Sequence, residues 1–494
     1  MPIDGKKQLQ EQNAQLRRVR TEELLKRNRE NKEQVLNSGL TPEYADIVKK
    51  VYSKDYSEVC NGVYEVRVIL SQESNPPVQK ILDLNILPLL VNLLDYNFYR
   101  TDDKNIIKNT MLEAAWALTN ICTGTHEQTR KVVEIGASAK LVEMLKMQDD
   151  DIVDQSVWCL GNISGDCEEF RDILLNLNIV EIILDKLKEY EYRQDKMKIF
   201  RNLMWLAGNL NRGRHPPPDR RYMSMFLSIY ERYVGLVDKE VVNSCFWGIS
   251  YICDSDEELT NAFLNSNIYK KLVELITTFE NNEIAMFSMA PIIRTLGNIV
   301  SEGNEQTEFV IQSGAINNLC RIFYSVKERK APRIRKEICW LISNITAGPN
   351  EHVQFISSRD SFIDLLIDAM SNYEVFVRKE AVYAIYNITF NSETGLVREL
   401  MDKNICLGIK KCINACNTNT EIVLQLLDVC KNLLDAGIKI KEETGVDIVL
   451  AKFNDTRLSD VIEDCQDFRN DAIADRAYKL IMKYYDAEED DNYY

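Results

Sequence analysis

Across EAAWALTNICTG (residues 113–124) apolar side chains recur at helical spacing, and Trp116 is followed four residues later by Asn120. Positions i and i+4 share one face of an α-helix, so the pattern sets a large apolar ring beside an amide that both donates and accepts hydrogen bonds. The same phase returns in DQSVWCLGNISGD (154–166), RNLMWLAGNLNRG (201–213), SCFWGISYICD (244–254), PIIRTLGNIVSEG (291–303), KEICWLISNITAG (336–348) and KEAVYAIYNITFN (379–391). Between these blocks a glycine-marked turn leads into a short amphipathic helix, as in EQTRKVVEIGASAKLVEMLK, with a small pair at its middle. Gly136 and Gly314 hold equivalent places there, and each is expected to end one helix and start the next at a sharp angle. No strand-like alternation or hairpin dipeptide interrupts the pattern, which predicts an all-α chain.

The residues at the amide position are Asn120, Asn162, Asn209, Tyr251, Asn298, Asn344 and Asn387, at intervals of 42, 47, 42, 47, 46 and 43. A weaker echo, VCKNLLDAG around Asn432, marks a further, degenerate unit. A period of about 40–47 residues is that of the armadillo and HEAT class. A unit of about three helices cannot bury its own apolar face and must stack on its neighbours. The expected fold is therefore an armadillo-repeat, right-handed superhelical solenoid of about ten repeats with a long concave surface.

Composition agrees with an array. The chain has 494 residues, more than the roughly 250–300 that one core serves. No unbroken apolar run of about 18 residues suggests a membrane span, and MPIDGKKQLQEQNAQ has no apolar region of the secretory kind. The 13 cysteines form no CxxC pair and sit mostly in apolar stretches, which reads as buried, reduced thiols. The net charge of −16 argues against direct binding of nucleic acid and for cationic partners. Its distribution is uneven. From Leu16 to Lys32 there are seven basic residues against three acidic ones, and the C-terminal end carries Asp486, Glu488, Glu489, Asp490 and Asp491.

All five tryptophans, Trp116, Trp158, Trp205, Trp247 and Trp340, fall at one phase of the repeat. If these helices line the concave face, rings and amides form two parallel rows. Carboxamides can hold an extended peptide backbone without reading its sequence. Indoles between them would leave slots for Lys and Arg stems, each gaining ~0.5–2 kcal/mol of cation–π energy. The ligand implied is a basic, extended peptide. A structural alternative is an internal asparagine ladder that bonds backbone, which offers no reason for each asparagine to come with a tryptophan.

EAAWALTNICTGTHEQT, SVWCLGNISGD, NLNRGRHPPPD and CWLISNITAG resemble the repeats of importin-α, the adaptor family that carries proteins with basic nuclear localisation signals into the nucleus. The resemblance implies a basic importin-β-binding arm over 1–40, a repeat array over 41–485 and an acidic tail over 486–494. It implies a major peptide site of Trp116, Asn120, Trp158, Asn162, Trp205 and Asn209, flanked by Gln155 and Asn202. A lysine pocket would be made by the Gly124 carbonyl, Thr129 and Asp166, three acceptors for the three donors of an ammonium. The implied minor site comprises Trp247, Tyr251, Arg294, Asn298, Glu337, Trp340, Asn344, Glu380, Tyr383 and Asn387, with Arg294 interrupting the groove where a tryptophan is expected. Arg17, Arg18, Arg20, Lys26, Arg27, Arg29 and Lys32 would form the arm, flexible when free and helical when bound. The partners implied are cargo proteins, importin-β and a nuclear export receptor at the C-terminal repeats; the implied location is cytoplasm and nucleus.

Three positions depart from the family pattern. Ser244 replaces an acidic residue, Tyr383 replaces a tryptophan, and EQVLNSGL follows the arm where the family carries a Lys/Arg cluster that occupies its own groove. Without that cluster the arm is expected to compete little with cargo. Asn162-Ile-Ser, Asn344-Ile-Thr and Asn387-Ile-Thr match the glycosylation sequon but are repeat asparagines, expected to be unmodified. His126, His215 and His352 do not lie at metal-ligand spacing, and Cys412 with Cys416 completes no zinc pattern. The triple proline at 216–218 is expected to stiffen an inter-helix loop. With no phosphate-cradling loop, HExxH or GxSxG, the chain reads as a binding protein with no metal, no cofactor and no catalytic site. An armadillo scaffold for acidic partners would need a basic groove, which the net charge disfavours.

Overall fold

The computed structural model describes residues 44–72, 76–213, 215–326, 331–390 and 392–485. The seven basic arm positions and the acidic tail lie outside the described residues. Every described regular element is a helix. The chain divides into two compact units, Met1–Leu259 and Thr260–Tyr494.

In the first unit the long helices Tyr56–Leu70, Lys104–Ile121, Asp150–Ser164, Met197–Leu210 and Lys239–Ile252 pack one on the next. Pairs of shorter helices, such as His126–Glu134 with Ala137–Met144, fill the intervals. In the second unit Glu283–Glu302, Ala331–Thr346, Val375–Thr389, Thr420–Thr444 and Asp471–Tyr484 stack in the same manner.

Seven of these ten long helices start where an Asp or Asn stands at the boundary. The side chains of Asp55, Asp103, Asp149, Asp238, Asn282, Asn419 and Asn470 each accept from backbone N–H groups of the first turn. Each such cap contributes about 1 kcal/mol. Thr125 and Gln128 form a reciprocal capping box at His126–Glu134.

The elbows between short helices use left-handed backbone. Gly136 (φ 87°) and Gly314 (φ 73°) behave as their sequence context predicts. Asn85, Asn178, Asn404 and Arg457 take the same conformation at corresponding elbows. Asn tolerates it through its short polar side chain, whereas Arg457 bears the steric cost of about 1–2 kcal/mol.

The core is the aliphatic side of these helices. Ten of the thirteen cysteines are buried there, Cys412 and Cys416 among them, and the rest are half-buried. Burial pushes the Cys245, Cys339 and Cys430 thiols far up, which keeps them protonated. Among the described residues one helix, Glu283–Glu302, is long and apolar enough to cross a membrane, but 72% of its apolar window is buried inside the protein. Packing against its neighbours accounts for that apolarity.

Candidate peptide-binding site

The repeat asparagines make a ladder. In the first unit Asn162 Nδ2 donates to the Thr119 carbonyl (3.3 Å) and Asn209 Nδ2 to the Gly161 carbonyl (2.9 Å). In the second, Asn344 donates to Gly297 (3.1 Å) and Asn387 to Ser343 (3.0 Å). Each acceptor is the residue just before the asparagine of the preceding repeat. The ladder starts at Asn120, which donates to Ser71 Oγ (2.9 Å). The structural alternative weighed from sequence is thus realised for one N–H of each of these amides. The second N–H and the carboxamide oxygen lie outside these bonds, and Asn162 Oδ1 has no hydrogen-bond partner among the described residues. Asn162 is 1% exposed, which leaves no room for a glycan.

The same stacking accounts for the tryptophans, so the expectation that a ladder gives no reason for them is corrected. A methyl group on Gly161 would lie 2.1 Å from Trp205 Cζ3, and one on Gly297 would lie 2.1 Å from Trp340 Cζ3. One glycine therefore receives both the ring and the amide of the next repeat. Trp158 and Trp205 stand with ring centroids 5.3 Å apart, tilted by 44°. A hydrocarbon stem between two rings needs about twice the ~3.5–4.0 Å contact distance, so the expected slot is closed at this pair. Trp158 is buried, while Trp116, Trp205, Trp247 and Trp340 are half-buried. Trp247 stacks on its own Tyr251, with centroids 6.1 Å apart. The flanking amides are held as well: Gln155 donates to Thr119 Oγ1 (2.7 Å) and Asn202 to Asp154 Oδ1 (2.6 Å).

Of the predicted lysine pocket, Gly124 is exposed and Thr129 is fully buried, its hydroxyl donating to the Thr125 carbonyl (3.3 Å). Asp166, only 6% exposed at its side chain, meets His126 Nδ1 at 2.5 Å. Arg130 Nη2 lies 2.9 Å from His126 Nε2 and also pairs with Glu169 (3.1 Å). A guanidinium only donates, so Nε2 accepts and the Nδ1 proton points at Asp166. The imidazole lies flat on Phe170, centroids 5.2 Å apart at 7°. His126, Asp166 and Cys167 bring ligand atoms within 4.8 Å of one another, but the set does not suit a metal. A metal on Nδ1 would put a proton on Nε2, facing the Arg130 guanidinium where an acceptor is needed. Burial also holds the Cys167 thiol up, away from the thiolate.

In the second unit Arg294 Nη2 pairs with Glu337 Oε1 at 2.6 Å, and its guanidinium lies 4.5 Å from the Trp340 centroid. Glu337 is fully buried, and its Oε2 has no hydrogen-bond partner among the described residues. Burial, followed by the repulsion of Glu337, raises the Glu380 carboxyl above its ordinary range against the pull of Lys336, Lys379 and Arg294. Asn298 is buried in the same helix as Arg294. The Tyr383 hydroxyl donates to Glu421, which also pairs with Lys379 (2.7 Å).

Sequence reasoning overlooked Gly161 and Gly297 as ring seats, His126 as the partner of Asp166, and Arg67. The repeat phase could have found Arg67: it precedes Ser71 by four residues, as each tryptophan precedes its asparagine.

Residues 125–165 match the model of the armadillo/beta-catenin-like repeat. The chain is 28% identical over 461 residues to importin subunit alpha-1b of Oryza sativa subsp. japonica, covering 90% of this chain and 79% of that protein. It is 29% identical over 514 residues to importin subunit alpha-3 of Arabidopsis thaliana, covering 99% and 89%. A probable importin subunit alpha-A of Dictyostelium discoideum matches at 28% over 88% of this chain and 78% of its own length. Among solved structures, an engineered protein superposes with a TM-score of 0.63 at 18% identity, covering 88% of this chain and 97% of that one, a likeness of fold. With an amide ladder repeated through the long helices and an armadillo-like repeat at residues 125–165, this chain is similar along nearly its whole length to importin alpha subunits.

Proposed function

We propose that this chain is a nuclear import adaptor whose tryptophan- and asparagine-bearing helices hold the basic nuclear localisation signals of cargo proteins. The observation that carries this reading is the set of half-buried indoles, Trp116, Trp205, Trp247 and Trp340, at one helical phase in a protein of net charge −16. In the first unit Asn120, Asn162 and Asn209 each commit one N–H to the scaffold, and the half-buried Asn209 amide is thereby fixed in plane for a peptide backbone. Trp116 and Trp205, both half-buried, supply faces for cationic stems, with Gln155 and Asn202 at the flank. Gly124, Thr129 and Asp166 take one lysine. In the second unit Trp340, Asn298, Asn344, Asn387, Glu337, Glu380 and Tyr383 offer a minor site.

The basic arm links the adaptor to importin-β, the C-terminal repeats meet an export receptor, and the protein shuttles between cytoplasm and nucleus. Its part is to bind and release, without catalysis, a cofactor, direct contact with nucleic acid or membrane insertion. The test is titration of the full-length protein with a fluorescent Lys-rich peptide, repeated with Asp166→Lys. Replacing the attractive contact by a repulsive one should cost about 2–5 kcal/mol. Asp166 is mostly covered, so thermal melts must accompany the titration. Unchanged affinity in a folded Asp166→Lys protein overturns the site.

A further inference from the structure

Arg67 and Arg294 repeat one device in two places. Arg294 stands at the tryptophan phase of its repeat, lies 4.5 Å from the Trp340 centroid and pairs with Glu337, three residues before that tryptophan. Arg67 stands at the tryptophan phase of the repeat before Trp116. Its guanidinium lies 4.4 Å from the Trp116 centroid and 4.6 Å from that of Tyr64. It forks onto Glu113, three residues before Trp116, with Nε–Oε2 at 2.6 Å and Nη2–Oε1 at 3.1 Å. The side chains of Arg67 and Glu113 are 7% and 16% exposed, so the pair is fixed in place and little screened by solvent.

We infer that Arg67 is a built-in stop at the Trp116 end of the peptide site, setting how many basic side chains the first unit accepts. The inference rests on the proposed peptide site. A ligand cation gains at this end only by lying on an indole or facing a carboxylate. On this side of Trp116 the chain's own guanidinium fills both roles, wedged between Tyr64 and Trp116 with Glu113 satisfied by its fork. A second cation there would meet like charge and find the ring face taken. Ser71, hydrogen-bonded to Asn120, holds the amide position of the same repeat with a hydroxyl. Both the side-chain slot and the full backbone clamp therefore end at Trp116.

The experiment is a series of peptides lengthened by one lysine at a time at each end, titrated against full-length wild type and Arg67→Ala, with Arg67→Gln as the milder variant and thermal melts of each. In wild type the affinity should stop rising at one end, the last lysine adding less than about twofold. In Arg67→Ala that same lysine should add about fivefold, shifting the plateau by one residue, and adding Glu113→Gln should remove the gain. A plateau at the same length in wild type and the folded variants, or a wild type that gains fivefold from that lysine, overturns the inference. If Arg67→Ala does not fold, the wild-type series and Arg67→Gln decide alone. Should wild type bind no member of the series, the peptide-site reading falls and this inference with it; binding that Asp166→Lys weakens, with no shift on changing Arg67, sinks the inference alone.

Discussion

Replacing His126 with serine tests how the proposed lysine pocket is governed. His126 Nδ1 donates to Asp166 at 2.5 Å, while Arg130 at 2.9 Å and the flat contact with Phe170 hold the ring. An incoming ammonium that takes Asp166 as its acceptor must displace that donor. A hydrogen bond to a charged group is worth about 1.5–3 kcal/mol net, and the displaced imidazole, 42% exposed, recovers part of that from water. The remaining penalty on binding is about 1–2 kcal/mol, and His126→Ser removes it before the peptide arrives. Affinity for a Lys-rich peptide should rise about five- to thirtyfold. The lost ring contact should lower stability by about 0.5–1.5 kcal/mol, read from a thermal melt. Fluorescence anisotropy with the parent peptide and with each lysine changed in turn to alanine gives the answer. The gain must disappear for one substituted position and persist for the others. A change below twofold, or an equal gain for every peptide, refutes the argument that His126 competes with a ligand lysine.

Asn209→Ala should lower both stability, by about 1 kcal/mol, and affinity for every basic peptide by a similar factor, because one N–H serves the Gly161 carbonyl while the rest of the amide is left for peptide; intact affinity in a destabilised protein would make the amide purely a scaffold part. Gly161→Ala should cost about 1–3 kcal/mol by overpacking, since its methyl would fall 2.1 Å from Trp205; a denaturant midpoint equal to wild type contradicts the ring-on-glycine contact. Glu380 has its carboxyl raised by burial, so the folded state holds its proton above the ordinary value of 4.5 and the unfolded state does not. Stability should therefore fall as pH rises from that value through the raised one, and Glu380→Gln should flatten the fall; parallel melting curves for the two proteins against pH refute the assignment. Deleting residues 1–40 should change affinity for a Lys-rich peptide less than about threefold, because EQVLNSGL offers no basic competitor at the roughly millimolar effective concentration of a short tether; a tenfold gain at physiological salt shows an autoinhibiting arm.

The helices, their phase and their repeat were legible in the sequence because all three are local. A buried stripe recurs with the helical period wherever it packs, and one unit's way of stacking on the next imposes the same phase again 42 to 47 residues on. Gly136 and Gly314 marked their elbows for the same reason: positive φ is a property of one residue. Asn178, Asn404 and Arg457 did not, because a side chain tolerates that conformation only when the surrounding packing enforces it. What tertiary structure decided is which group of one repeat meets which group of the next. Asn209 reaching the Gly161 carbonyl, Trp205 resting on the same glycine, His126 meeting Asp166 and Arg67 wedged against Trp116 all join residues 40 to 49 apart. Those encounters depend on the offset and rotation between stacked helices, which the sum of all the core contacts sets and no single motif encodes. Sequence thus placed a ring and an amide at one phase. Only the stacked helices divided each amide between scaffold and ligand, closed the gap between Trp158 and Trp205, and set an arginine against the outer face of Trp116.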